Sequence, residues 1–119
     1  MTTQEIAARL AELCKNAEWE QAYKELFAGN AVSIEPEAMG PFEKETKGLD
    51  AMLKKAAIFG EMVEAFHSAE VSEPLVAGNS IAFKLTIDAT MKGRGRQPMT
   101  ELCVYKVKDG KIVSEEFFM

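Results

Sequence analysis

The feature that most constrains this chain is a change of hydrophobic period near its midpoint. Before residue 60 apolar residues recur every three to four positions, as on an amphipathic helix, and after residue 62 they alternate, as on a half-buried strand. Helices first and a run of long strands after them describe a curved sheet closed over by helices.

In the helical half, Thr2-Thr3-Gln4-Glu5 reads as a capping box, and Ile6, Leu10 and Leu13 follow at helical spacing to about residue 16. A second stripe of Trp19, Ala22, Tyr23, Leu26 and Phe27, stopped by Gly29-Asn30, predicts a helix over 18–28. A short strand over 31–35 must end at Pro36, which has no N–H for a ladder, so Glu35 falls at a strand terminus. A loop over 36–47 runs through Gly40-Pro41, and Leu49, Met52, Leu53, Ala56 and Phe59 mark a third helix until Gly60.

In the sheet half, strict alternation over 62–72 puts Val63, Ala65, His67, Ala69 and Val71 on one, apolar, face. Over 81–91 it turns Ile81, Phe83, Leu85, Ile87, Ala89 and Met91 inward. A glycine-rich hairpin tip carrying Lys92, Arg94 and Arg96 reads as solvated charge and leads to a strand over 99–108. The last hairpin has two registers. A two-residue Asp109-Gly110 loop sets Cys103 on a face with Glu116 and Phe118. A three-residue Lys108-Asp109-Gly110 loop, the favoured reading, sets it with Glu115 and Phe117. In that register Glu101, Cys103, Tyr105, Val113, Glu115, Phe117 and Met119 share one face, and Leu102, Val104, Ile112 and Phe118 the other. Both faces are then partly apolar, so the outer one needs cover, most simply a second copy of the chain.

At 119 residues and 47% hydrophobic, the chain suits one domain over 1–119. A net charge of -5 disfavours nucleic acid and an anionic membrane surface, both of which call for a basic face. The sequence offers no targeting segment and no apolar run near the roughly 20 residues that span a bilayer, so a soluble cytoplasmic protein is expected. Cys14 and Cys103 lack metal-site or CxxC spacing and read as small buried hydrophobes.

Three stretches carry a resemblance: Leu26 to Pro36, Lys47-Gly48-Leu49-Asp50-Ala51-Met52, and Val104 to Val113. Together they resemble the landmarks of the nuclear transport factor 2-like superfamily, and in particular its SnoaL-like and ketosteroid-isomerase-like members. The resemblance implies an α+β, cystatin-like cone: three helices packed on a curved, mostly antiparallel sheet in the order α-α-β-α-β-β-β-β. It also implies a dimer and a small-molecule pocket between helices and sheet. The superfamily includes isomerases, polyketide cyclases, dehydratases and silent binding or assembly modules, so fold alone does not decide function.

Carried over by position, Glu35 falls where ketosteroid-isomerase-like enzymes hold their general base, just before a proline. The oxyanion-hole tyrosine and aspartic acid of those enzymes fall near Ala11 and at Cys103, which argues against steroid isomerisation. In SnoaL-like cyclases the acid or base lines the same cone, and His67, Glu101 and Glu115 are the candidates beside Glu35. A carboxylate in a cavity walled by Phe83, Leu85, Ile87, Phe117 and Met119 loses hydration, so its pKa rises toward neutrality. A second carboxylate close by would keep one of the pair protonated, and Tyr105 or His67 would donate to a developing oxyanion. Plainer roles stand beside these. Glu35 pairs with Lys44 or Lys47, His67 is a core residue, Glu101 and Glu115 face basic cross-strand neighbours, and Tyr23, Cys103 and Tyr105 only pack. No HxH, HxxxH or CxxC spacing supports a metal site, and no cofactor is expected. The function classes left are a cofactor-independent acid-base enzyme on a small apolar carbonyl compound, a ligand-binding module, and an assembly domain.

Overall fold

The computed structural model describes residues 1–38, 40 and 42–119. Helices α1 (Thr3–Lys15) and α2 (Trp19–Leu26) lead into β1 (Phe27–Ile34), a short β2 (Glu45–Lys47) and α3 (Leu49–Met62). The strands β3 (Val63–Val71), β4 (Leu75–Ala77), β5 (Ser80–Met91), β6 (Gly95–Lys108) and β7 (Lys111–Phe118) complete the chain. They form one open seven-stranded sheet in the order β2-β1-β7-β6-β5-β3, with β4 beside β5. All pairings are antiparallel except β1 with β7. Three helices on a mostly antiparallel sheet are the expected α+β cone, with β2 and β4 added to the strands read from sequence. Among the described residues no helix is long and apolar enough to cross a membrane.

α1 starts as the capping box requires: the Thr2 hydroxyl accepts from the Glu5 amide at 3.1 Å, and Glu5 Oε1 accepts from the Thr2 amide at 2.8 Å. Its stripe buries Ile6, Leu10 and Leu13 against Ile81, Phe83 and Leu85 of β5 and Cys103, Tyr105 and Ile112 of the neighbouring strands. The alternation in β5 is what lets one strand give the core every second side chain.

Four expectations give way to packing. The second helix ends at Leu26, because Phe27 is extended, 4% exposed, and paired with Ile112 of β7. Gly29-Asn30 therefore mark the irregular stretch of β1 between Phe27 and Val32 where the register against β7 shifts, and not a helix end. Gly60 lies inside α3, which runs on to Met62. In β3 two bulges interrupt the alternation, between Val63 and Ala65 and between Phe66 and Ser68. Phe66, Ala69 and Val71 stand opposite Ala89, Ile87 and Leu85, while His67 at the second bulge is exposed and its Nε2 meets Thr90 Oγ1 at 2.7 Å. One extra residue moves every later side chain to the other face. The loop expected through Gly40-Pro41 falls partly outside the described residues, at Pro41.

The last hairpin combines the two registers. Asp109 (φ 52°) and Gly110 (φ 76°) make the two-residue loop, with Lys108 opposite Lys111. A shift between Lys106 and Val107 then restores the face of the longer loop: Tyr105 pairs Glu115 and Cys103 pairs Phe117. As a result Ile112, expected outside, is opposite Val107 and fully buried.

Candidate active site

Between helices and sheet lies a cavity of about 220 Å³, below the ~300–1,000 Å³ common for drug-sized ligands. Glu35, Glu101, Glu115, Tyr105, Leu85, Ile87, Phe117 and Met119 line it. His67 is not among them, for the reason of register given above. Phe83 and Cys103 are 2% and 0% exposed and belong to the core beneath the cavity wall.

Glu35 follows the end of β1, its amide donating to the Lys44 carbonyl at 2.7 Å. Its side chain does not pair with Lys44 or Lys47. Lys55 of α3 reaches it instead, with Nζ 2.6 Å from Glu35 Oε1, and both side chains are mostly buried. Lys55 sits one turn from Met52 and one from Phe59, so a lysine on the inward face of the third helix was the available signal for a buried ion pair.

Glu115 is the deepest polar group, 2% exposed. The parallel pairing of β1 with β7 sets Ser33 directly opposite Glu115, and the Ser33 hydroxyl donates to Oε1 at 2.8 Å. The Tyr23 hydroxyl donates to the same oxygen at 2.7 Å. Tyr23 thus has a polar task beyond packing, and Ser33 carried no sequence signal for one. Lys55 Nζ lies 3.4 Å from Ser33 Oγ, so Glu35, Lys55, Ser33, Glu115 and Tyr23 form one connected polar row.

Glu101 points inward from β6 opposite Leu85. Burial pushes its carboxyl up to about 7, the charges of Glu35 and Glu115 add to this, and Lys55 opposes it. Burial also pushes Glu115 up to about 7, against the lowering pull of the Tyr23 and Ser33 hydrogen bonds and of Lys55. Glu101 and Glu115 lie at different heights of the sheet. Glu115 is opposite Tyr105, four residues along the ladder from Glu101, which puts roughly 13 Å between their backbones. Burial first, and then nearby acids, raises the Tyr23 and Tyr105 hydroxyls well above their usual range and the Cys14 thiol to about 12, so all three stay protonated near neutrality. Both cysteines are free and buried. Among the described residues no group of three or more His, Cys, Asp or Glu is arranged to hold a metal ion.

The arrangement of helices on this sheet matches known proteins. The family model described as "SnoaL-like domain" matches residues 1–119. The chain belongs to the SnoaL-like family. A crystal structure from Mesorhizobium loti, provisionally described as a SnoaL-like polyketide cyclase with carbohydrate phosphatase beside it, is 33% identical at a TM-score of 0.90, covering 100% of both chains. Two more distant structures share the SnoaL-like fold. One, from Xanthomonas campestris, has a cystatin-like fold and unknown function; it is 16% identical at a TM-score of 0.83, over 99% of this chain and 90% of that one. The other, from Catenulispora acidiphila, has a ketosteroid isomerase-like fold and was solved in complex with trimethylamine; it is 16% identical at a TM-score of 0.76, over 99% and 87%. No curated protein matches the chain.

Proposed function

We propose that this SnoaL-like chain is a cofactor-independent acid-base enzyme of the isomerase, cyclase or dehydratase type, acting on a small apolar carbonyl compound as one domain in the cytoplasm. The observation that carries the reading is a pair of carboxyl groups, Glu101 and Glu115, both brought to about 7 within one apolar cavity. Among the described residues Glu101 has no hydrogen bond to quench it, and it takes the proton next to the carbonyl. Glu115, held by Tyr23 and Ser33, keeps its proton as the acid and with Tyr105 faces the oxygen that gains charge. Glu35 is taken up by Lys55 and serves as a fixed charge at the rim. A phosphatase role has less support, because four glutamates and a single, already paired lysine line the cavity and would repel a phosphate.

The test is α-proton exchange of small ketones in heavy water, followed by NMR. Wild-type protein accelerates exchange with a bell-shaped profile near neutral pH, and Glu101→Gln lowers the rate by about a hundredfold or more. Wild-type exchange no faster than buffer across a ketone panel overturns the reading.

A second reading, a dimeric assembly module, draws on the outer sheet face. There Leu102 and Phe118 pair across β6 and β7 and are 46% and 47% exposed. A second copy is the proposed cover. Sedimentation should give a dimer that Leu102→Glu splits, and a wild-type monomer at micromolar concentration removes this reading.

A further inference from the structure

Seven aromatic residues line the cavity, in a chain with one Trp, two Tyr and seven Phe. Ring faces carry partial negative charge and attract cations. The acidic groups add to that bias in an uneven way. Lys55 is the lining cation, and Glu35 already occupies it at 2.6 Å. Glu115 has only the neutral hydroxyls of Tyr23 and Ser33 as partners, and Glu101 has no hydrogen-bond partner among the described residues. Two carboxyl groups thus face an aromatic-lined cavity without a protein cation in contact among the described residues. Such a group needs either a proton or a cation from outside to offset its lost hydration.

We propose that the cavity binds a small organic cation, an ammonium or substituted amine whose charge rests on the aromatic walls within reach of Glu101 and Glu115. The inference rests on the small-molecule reading of this cavity and narrows its substrate to a carbonyl compound bearing an amine. An anion is repelled here, and a neutral compound brings neither carboxylate a counter-charge.

The proposal has a pH signature. The groups facing Glu101 and Glu115 are Glu35 and Glu37 after β1, Lys55 from α3, Cys14 from α1, Tyr23 from α2 and Tyr105 from β6, while β5 offers only Leu85 and Ile87. The thiol and both hydroxyls stay neutral through pH 8. Between pH 6 and pH 8 the two enclosed acids go from mostly protonated to mostly ionised. Affinity for a cation therefore rises across that interval, by about tenfold for one group titrating at its midpoint.

The probes are choline and its uncharged carbon isostere 3,3-dimethylbutan-1-ol, titrated calorimetrically into the full chain at pH 6 and pH 8. Choline is expected to bind at least tenfold more tightly than the isostere at pH 8 and to weaken about tenfold at pH 6. Glu101→Gln should abolish the preference for charge. Lys55→Met, which frees Glu35 and removes the lining cation, should tighten choline severalfold at pH 9, where Glu101 and Glu115 are ionised even with their midpoints raised, an effect opposite to that of a damaged fold and decisive should Glu101→Gln fail to fold. Equal binding of both probes, binding of neither in the millimolar range, or choline binding unchanged in both variants overturns the proposal. Ketone exchange without choline binding would sink this inference and leave the acid-base reading intact.

Discussion

The rim and the floor of the cavity each hold a glutamate, one just past the end of β1 and one on β7, and the two are neutralised in different ways. At the rim, Glu35 has a lysine 2.6 Å away. On the floor, Glu115 has two hydroxyls at 2.7 and 2.8 Å and, among the described residues, no cation in contact. Hydroxyls satisfy the lone pairs of a carboxylate without matching its charge, so burial outweighs them and the pKa of Glu115 climbs to about 7. A paired charge serves as scaffold, whereas an unpaired one is left able to exchange its proton. The same cavity thus separates a structural acid from a chemical one by the choice of partner.

The largest expected effect bears on the floor. Glu115 binds its proton more tightly folded than at its ordinary value of 4.5. The native state therefore holds more protons than the unfolded one between 4.5 and about 7, and stability is full below that window and falls as pH rises through it. The loss sums to roughly 3 kcal/mol above pH 7. Glu115→Gln removes the titration, so it should gain on the wild type by up to about 3 kcal/mol between pH 5 and pH 8 in urea unfolding. A difference that does not vary with pH would break the comparison.

At the rim, Lys55→Met strands Glu35 and should cost about 1–3 kcal/mol. It should also raise the titration midpoints of Glu101 and Glu115, both of which Lys55 lowers. Carboxyl chemical shifts followed against pH measure this, and unmoved midpoints would show rim and floor to be independent. The smallest effect is that of Tyr23→Phe, which removes one of two donors, costs about 1 kcal/mol and lifts the Glu115 midpoint further. A fall in that midpoint would mean that the hydroxyl does not stabilise the carboxylate.

Legibility varied with how local the signal is. The inward positions of β5, the cap and stripe of α1 and the shared face of Cys103, Glu115 and Phe117 could all be read from spacing. His67 could not, because two bulges in β3 cancel the alternation that points it inward in the sequence. Ile112 departs from its expected face because the final hairpin uses a tight loop and a later shift together. Glu35 was legible as a strand-end acid before a proline, but its partner was sought among the nearest lysines in sequence.

By itself the sequence determined what depends on neighbours a few residues apart: where helices begin, which strand faces are apolar, and that helices cover a sheet. Period and capping are local properties, and local sterics enforce them. Only the tertiary structure decided who meets whom. Lys55 reaches Glu35 across 20 residues, where α3 packs on β1, and Tyr23 reaches Glu115 across 92, on the strand that pairs in parallel with β1. That pairing follows from burying α1 and α2 on the sheet as a whole, a balance of apolar area over the entire chain that no short stretch of residues encodes.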